Sequence, residues 1–195
     1  MSNHSGLLII VSGPSGVGKG TICNALLEKY PQDYALSVSA TSRKPRGEEQ
    51  DGREYFFHTR EEFEKMIEDG MLLEYANYTG NYYGTPRQWV EERMQEGISV
   101  ILEIEYQGGF QIKSKLPETL MIFIMPPNVE ELISRLKNRG TETQEQILRR
   151  LEKAEEEMAV AERYDYIIVN EDVEKSVEML HNIVLYEKKK ITGEL

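Results

Sequence analysis

A short apolar strand that runs directly into a glycine-rich loop is the feature that most restricts the fold of this chain. The run Leu7–Val11 is apolar, and the helical pattern Ile22–Tyr30 follows the loop. The loop itself reads Gly13, Pro14, Ser15, Gly16, Val17, Gly18, Lys19, Gly20, Thr21. Glycines at this spacing let successive backbone N–H groups turn inward and hold phosphate oxygens at a helix N-terminus. The sequence therefore predicts a P-loop that binds a nucleoside triphosphate, with Lys19 directed at its β and γ phosphates.

The position after the lysine departs from the general pattern of such loops. Gly20 stands where a serine or threonine hydroxyl would bind Mg²⁺, so water is expected to complete that part of the metal's coordination. The apolar run Val100–Leu102 leads to Glu103, a carboxylate at a strand end. Such a carboxylate organises Mg²⁺ in phosphoryl-transfer sites. We expect Glu103 to act on the metal through water, although acidic strand ends without a metal are common.

Apolar runs alternate with helical patterns along much of the chain. We predict buried strands at Leu7–Val11, Val100–Ile104, Leu120–Met125 and Tyr166–Val169, and a last helix from Val173 to about Lys190. This alternation is typical of an α/β fold in which a parallel sheet is flanked by helices.

Capping residues mark several helix starts. Thr59 with Glu62, and Thr143 with Gln146, have the spacing of capping boxes. Thr85 is followed by a proline and, three residues on, by a glutamine, so Thr85 is predicted to cap another helix.

Two stretches interrupt the alternation of strands and helices. Residues 37–88 are rich in Gly, Tyr, Arg and short strand-like pieces, which predicts a small inserted lobe. Residues 128–160 form two charged helical patterns joined at Arg139-Gly140-Thr141, a polar joint that suits a mobile lid. The core would then consist of residues 1–36, 89–127 and 161–195.

Charge limits the classes of partner. The net charge of −11 disfavours binding to nucleic acid, because such binding depends on neutralising many phosphates. A small phosphorylated ligand needs only a local cationic pocket. The arginines are grouped in two stretches: Arg43, Arg46 and Arg53, then Arg135, Arg139, Arg149 and Arg150.

The remaining composition narrows the location and the metal chemistry. Cys23 is the only cysteine, so we expect a buried helix residue and no internal disulfide. The apolar runs are too short to span a membrane, and we expect a cytoplasmic protein without a membrane partner. His4, His58 and His181 lack ligand spacing, which argues against structural zinc. The choice between a monomer and a homo-oligomer is open.

A second phosphate site is indicated by Arg43 and Arg46, which lie three residues apart across a proline, with Tyr55 nearby. Guanidinium groups bind phosphate oxygens in pairs, so this stretch is a plausible clamp for a dianionic phosphate. An exposed, solvated loop is the alternative.

The order of these motifs resembles guanylate kinase, the family that phosphorylates GMP with ATP. The resemblance covers nearly the whole chain and rests on the P-loop, Ser39–Tyr55, Glu74, Asn81–Thr85, Glu103–Glu105 and Arg135–Arg150. This combination is far more specific than the P-loop, which many unrelated NTPases share. It implies a P-loop NTPase core with an inserted GMP-binding lobe and a helical lid.

The resemblance also implies roles for individual residues. The GMP phosphate would be held by Arg43, Arg46, Tyr55 and Tyr83, and guanine would be read by Ser39, Glu74 and Thr85. Glu105 would be a further GMP contact, although the family often has aspartate there. The transferring phosphoryl group would be surrounded by Lys19, Mg²⁺, Arg46, Arg135, Arg139 and Arg150. Arg149 has no matching position and is expected on the surface.

The implied reaction converts ATP and GMP into ADP and GDP by in-line attack, with no covalent nucleophile. Glu74 can accept from both N1–H and the N2 amine of guanine, a paired contact that adenine cannot make. A kinase for AMP or a pyrimidine nucleotide stays an alternative, as does a catalytically silent guanylate-kinase-like module. No residue can be assigned to the ribose 2′-OH, so the sequence does not decide whether dGMP is also a substrate.

Overall fold

The computed structural model describes residues 6–137 and 144–194. Its elements in chain order are β1 (Leu8–Ser12), α1 (Lys19–Lys29), β2 (Tyr34–Leu36), β3 (Ala40–Thr41), β4 (Phe56–Phe57), α2 (Arg60–Glu68), β5 (Leu72–Tyr78), β6 (Asn81–Pro86), α3 (Arg87–Gln95), β7 (Ser99–Glu103), α4 (Tyr106–Lys115), β8 (Leu120–Met125), α5 (Val129–Lys137), α6 (Gln144–Met158), a 3₁₀ turn (Ala161–Arg163), β9 (Tyr166–Val169) and α7 (Val173–Thr192).

A five-stranded parallel sheet in the order β2-β7-β1-β8-β9 forms the centre of the molecule. β1 lies in the middle, and all of its residues are buried. Apolar strands buried on both faces are what a parallel sheet requires. The predicted α/β architecture is therefore confirmed, and the carboxyl ends of β1 and β7 lie side by side, with Val11 opposite Glu103.

Alternating residues of β1 build two cores, one on each face of this sheet. Ile9 and Val11 belong to the cluster that includes α1 and α7, whereas Ile10 packs with Val90 of α3 and Ile112 of α4. The molecule therefore has a layer of helices on both faces, which leaves the strand ends as the place for a ligand.

A second sheet lies within residues 40–86, in the order β4-β3-β6-β5. β6 pairs antiparallel with both β3 and β5. This sheet has its own hydrophobic cluster under α2, where Phe63 is buried and stacks on Tyr82 with ring centroids 5.3 Å apart. The two sheets therefore have separate cores.

Helices α5 and α6 pack on each other through Leu132, Leu136 and Ala154. Leu136 also reaches the glycine-rich loop, since a Cβ at Gly16 would lie 2.8 Å from its Cδ2. The predicted joint at 139–141 and Thr143 of the predicted capping box lie outside the described residues. The lid and the lobe boundaries stay predictions.

Two local predictions are confirmed. Thr59 and Glu62 form a reciprocal capping box at the start of α2, with bonds of 3.2 and 2.7 Å. Cys23 is fully buried in α1. None of the helices in the described ranges has the length and apolar content needed to cross a bilayer.

Other local predictions were wrong. Tyr166–Val169 is a strand but not a buried one, because β9 is the edge of the sheet and leaves Ile167 44% and Val169 46% exposed. Thr85 does not cap α3, because β6 continues through Pro86, which takes the N-cap position without a side-chain bond. The three-residue strand β2 was not predicted.

Candidate active site

The glycine-rich loop connects the carboxyl end of β1 to Lys19, the first residue of α1. Gly13 has φ 150° and Gly18 has φ 98°, a region that disfavours any side chain. A Cβ at Gly13 would overlap the carbonyl oxygen of Ile124, and one at Gly18 would lie 2.7 Å from Asn170 Nδ2. Glycine is therefore required at both positions for the loop to keep this conformation.

Lys19 folds back over this loop. Its Nζ donates to the carbonyl oxygens of Gly13 at 2.5 Å and Pro14 at 3.2 Å. Burial lowers the pKa of Lys19, while the nearby carboxylates of Glu103 and Glu157 act to raise it. The ammonium is thus held against the loop by two backbone carbonyl groups.

The back of the loop is braced by two side chains. Asn170, which is 2% exposed, donates to the Val17 carbonyl at 2.8 Å and accepts from Ser176 at 3.1 Å. Arg135 donates to the Val17 carbonyl at 3.2 Å and to the Asn170 carbonyl at 3.1 Å. In this conformation Arg135 supports the loop from behind. Sequence reasoning missed Asn170, although a polar residue directly after an apolar strand was a usable signal.

Glu103 lies where three cavities meet. Cavities of about 240, 180 and 430 Å³ are all lined by its side chain, and Lys19 lines the first and third. A Cβ at Gly20 would lie 3.4 Å from Glu103 Oε2, so the carboxylate borders the space that a loop hydroxyl would fill. One oxygen donor beside the phosphate loop fits Mg²⁺, which keeps several waters and binds few protein carboxylates. In the described part of the chain, no cluster of three or more acidic, His or Cys residues forms a closed metal site.

The predicted arginine clamp is only partly assembled. Arg43 is 9% exposed and donates two parallel bonds of 2.9 Å to Glu49. Its guanidinium packs 5.3 Å from the ring centroid of Tyr55. The Arg46 amide also donates to Glu49, at 2.7 Å, whereas the Arg46 side chain is exposed. The alternative interpretation, an exposed and solvated loop, is therefore wrong for Arg43. Glu49 was missed.

Hydrogen bonds at Glu49 have an electrostatic consequence. The Arg43 guanidinium, followed by the Arg46 amide, lowers the pKa of the Glu49 carboxyl below its ordinary value. Glu49 is therefore ionised at neutral pH and fixes the orientation of Arg43.

Three residues of the predicted acceptor site line one cavity. Ser39, Tyr55 and Thr85 face the cavity of about 180 Å³ that also reaches Glu103. The ring of Tyr83 meets that of Tyr55 edge-on, with centroids 6.0 Å apart. The structure thus brings Ser39, Tyr55, Tyr83 and Thr85 close together at this cavity.

Glu74 is a buried carboxylate in β5. It is 7% exposed, and the fully buried Thr85 hydroxyl donates to its Oε1 at 2.7 Å. Burial raises the pKa of Glu74, and the bond from Thr85 acts in the opposite direction. Its Oε2 faces α4, since a Cβ at Gly108 would lie 3.0 Å away. Glu74 is therefore a buried hydrogen-bond acceptor. Its negative charge is costly to bury unless further donors bind to it.

The family model for guanylate kinase matches residues 5–187. The chain is similar to the guanylate kinase of Mycoplasmoides gallisepticum, with 52% identity over 185 residues and 95% of each chain covered. It is 49% identical to that of Caldanaerobacter subterraneus subsp. tengcongensis, over 95% of this chain and 90% of the relative. This chain belongs to the guanylate kinase family.

A solved guanylate kinase gives the same result. The crystal structure of the enzyme from Anaplasma phagocytophilum matches this guanylate kinase family member with a TM-score of 0.72 at 37% identity. The match covers 94% of this chain and 86% of that chain. The fold expected from the resemblance is thereby confirmed.

The predicted lid arginines of this guanylate kinase family member differ in position. Arg150 Nη1 lies 3.5 Å from Ser15 Oγ in the phosphate loop. Arg149 lies on the surface, 75% exposed and paired with Glu145 at 2.7 Å. Arg139 lies outside the described residues.

Glu105 is held by a residue that sequence reasoning missed. Lys153 donates to Glu105 Oε1 at 2.6 Å and lies 3.9 Å from Glu157. Glu157 is 7% exposed, burial raises its pKa, and its Oε2 has no hydrogen-bond partner within the described residues. Lys153 and Glu157 follow Arg150 at three and seven residues, so helical spacing was a signal that all three share one face.

Proposed function

We propose that this chain transfers the γ-phosphoryl group of ATP to GMP, giving ADP and GDP in guanine nucleotide metabolism. The observation that carries the proposal is the buried carboxylate of Glu74, hydrogen-bonded to Thr85, in the same molecule as the Lys19 phosphate loop. A phosphate loop alone indicates a donor nucleotide. The buried acid supplies a reader for one particular acceptor base, and membership of the guanylate kinase family supports the pairing.

At the donor end, the backbone amides of the loop would hold the ATP phosphates. Lys19 would exchange its bonds to the Gly13 and Pro14 carbonyls for bonds to the β and γ phosphate oxygens. This exchange suits a partly desolvated ammonium, since a phosphate returns more charge stabilisation than a carbonyl oxygen.

At the acceptor end, Arg43 would present a fixed guanidinium edge to the GMP phosphate, because Glu49 already holds its other edge. Arg46 is exposed and would move onto the same phosphate. Tyr55 and Tyr83 would add hydroxyl donors from the side. A rigid and a mobile arginine together allow entry of GMP and then enclosure.

Guanine would be selected by Glu74. Its two oxygens can accept from N1–H and the N2 amine, while the Ser39 hydroxyl can donate to O6 or N7. The one hydroxyl proton of Thr85 is donated to Glu74, so Thr85 would donate to O6 or N7 only by releasing that bond. Adenine offers no matching pair of donors and would leave a buried carboxylate unsatisfied, a cost that exceeds the loss of an ordinary contact.

Mg²⁺, when bound with ATP, would supply positive charge on the β and γ phosphate oxygens. Glu103 would hold it through water at the cleft, next to Gly20. The chain's own contribution to transfer would be positioning and charge neutralisation by Lys19, Arg46, Arg135, Arg139 and Arg150.

Closure would complete the site. We propose an inserted lobe at 37–88 and a lid at 128–160 that move toward the core formed by 1–36, 89–127 and 161–195. Their closure would exclude water, which would otherwise accept the phosphoryl group.

A coupled assay of ADP release with a panel of monophosphates tests the proposal. We expect turnover with GMP, with dGMP reporting whether the ribose 2′-OH is read, and little release with AMP, CMP, UMP or no acceptor. Equal turnover of AMP and GMP would refute the guanine assignment. A folded protein that fails to bind ATP in calorimetry would instead indicate a silent binding module.

A further inference from the structure

One face of α6 carries charged residues toward both sides of the cleft. Arg150 reaches Ser15 of the phosphate loop at 3.5 Å. Lys153, one turn further along, reaches Glu105 at 2.6 Å. Glu105 immediately precedes α4 and lines the cavity of about 240 Å³ that Lys19 also lines. This single helix therefore touches the phosphate loop and Glu105, the residue expected to contact GMP, through two different cations.

The hydrogen bond from Lys153 gives Glu105 its orientation. Glu105 occupies the N-cap position of α4, but within the described chain its side chain makes no capping bond to that helix. Its carboxylate is 59% exposed and accepts from Lys153 instead. A carboxylate on a loop that is not tied to its own helix depends on such a partner to keep one orientation.

Lys153 also balances charge in the cavity. The cavity of about 240 Å³ is lined by Glu103, Glu105 and Glu157, and its cations are Lys19 and Lys153. Removing Lys153 would leave three carboxylates facing one ammonium in a space that must admit phosphate groups. Carboxylates close to the phosphate groups of a nucleotide oppose its binding, the more so where water is excluded.

We propose that Lys153 is a positioning residue that fixes Glu105 for the acceptor nucleotide and couples α6 to GMP binding. The inference rests on the proposed function and on the contact with GMP that the resemblance implies for Glu105. Arg150 would then respond to ATP at the phosphate loop, and Lys153 would respond to GMP through Glu105. The position of α6 thereby depends on both substrates, which favours closure only when both are bound.

The test compares Lys153→Met, Lys153→Arg, Glu105→Gln and the double variant Lys153→Met with Glu105→Gln. We expect Lys153→Met to raise the KM for GMP by about tenfold, as for a lost charge-assisted contact. The KM for ATP should rise by a smaller factor, because the phosphate loop lines the same cavity. Lys153→Arg should restore most of the loss. The double variant should be no worse than the poorer single variant, because both changes remove one interaction.

Lys29→Met is the matched control. Lys29 pairs with Glu178 at 3.3 Å, and that pair is 47% and 61% exposed, against 45% and 59% for Lys153 with Glu105. We expect wild-type kinetics for this variant. A KM for GMP within twofold of wild type in Lys153→Met would overturn the inference, as would multiplicative effects in the double variant. Wild-type turnover of GMP in the same experiment shows that the proposed function stands in either case.

Discussion

Replacing Glu74 with glutamine separates base recognition from folding stability, because the two effects have opposite signs. Glu74 is 7% exposed and accepts a bond of 2.7 Å from Thr85, a bond that a glutamine oxygen can also accept. The side chain keeps its size and loses its charge. One of its two acceptors becomes an NH₂ donor, which in the proposed complex would face a donor of guanine.

The loss in recognition follows from these contacts. A hydrogen bond to a charged group contributes about 1.5–3 kcal/mol, and the mismatched donor leaves a buried group unsatisfied. A total of about 3 kcal/mol corresponds to a decrease of about 150-fold in kcat/KM for GMP. The KM for ATP should change little, since Glu74 does not line the cavity formed by loop residues between Ser15 and Thr21.

The stability effect has the opposite sign. Burial raises the pKa of Glu74, so the ionised carboxylate opposes folding at neutral pH. Glutamine removes that cost, and each 1 kcal/mol gained corresponds to about 2–4 °C in Tm for a chain of this size. We expect Glu74→Gln to melt at a higher temperature than wild type without nucleotide.

Steady-state kinetics and thermal melting of the same preparation provide the assay. Glu64→Gln is a control in the neighbouring helix α2, because the Glu64 side chain is 46% exposed and pairs with Arg60. If Glu74→Gln kept its kcat/KM for GMP within threefold of wild type, or melted at a lower temperature, the base-reading argument would be wrong.

Three further predictions concern the phosphate loop, the metal and pH. Lys19→Ala should lower kcat by about 10³-fold or more, since it removes charge stabilisation at the transferring phosphoryl group, and circular dichroism should show an intact fold. Glu103→Gln should raise the Mg²⁺ concentration for half-maximal rate by about 10–100-fold, the range for groups that act on a metal through water; an unchanged Mg²⁺ titration would remove Glu103 from the metal site. The KM for GMP should rise as pH falls through the raised pKa of Glu74, because the protonated acid loses an acceptor. Glu74→Gln should lack this component and keep only the titration of the GMP phosphate, so identical profiles for the two proteins would contradict the assignment.

The sequence predicted the central sheet well because its strands are continuous apolar runs. Leu120–Met125 and Tyr166–Val169 match β8 and β9 residue for residue. Exposure of β9 was not predictable, since an apolar run does not say which strand lies at the edge. The cap at Thr85 was wrong because the local pattern for a helix start competes with a tertiary bond to Glu74.

Predictions for the site depended on how local each motif is. The phosphate loop and the Arg43 stretch are contiguous in sequence, so spacing located them. Glu49 lies only six residues from Arg43, so its pairing is local, but spacing did not identify it. Asn170 and Lys153 act through partners distant in the chain, such as the contact of Asn170 with Val17 across 153 residues. No local pattern specifies such a partner.

The most direct test follows the label from [γ-³²P]ATP during incubation with GMP and Mg²⁺. We expect the label to appear in GDP, with little inorganic phosphate, and AMP in place of GMP to give almost no labelled diphosphate. Label found mainly in inorganic phosphate, or equally in ADP when AMP is supplied, would contradict this prediction.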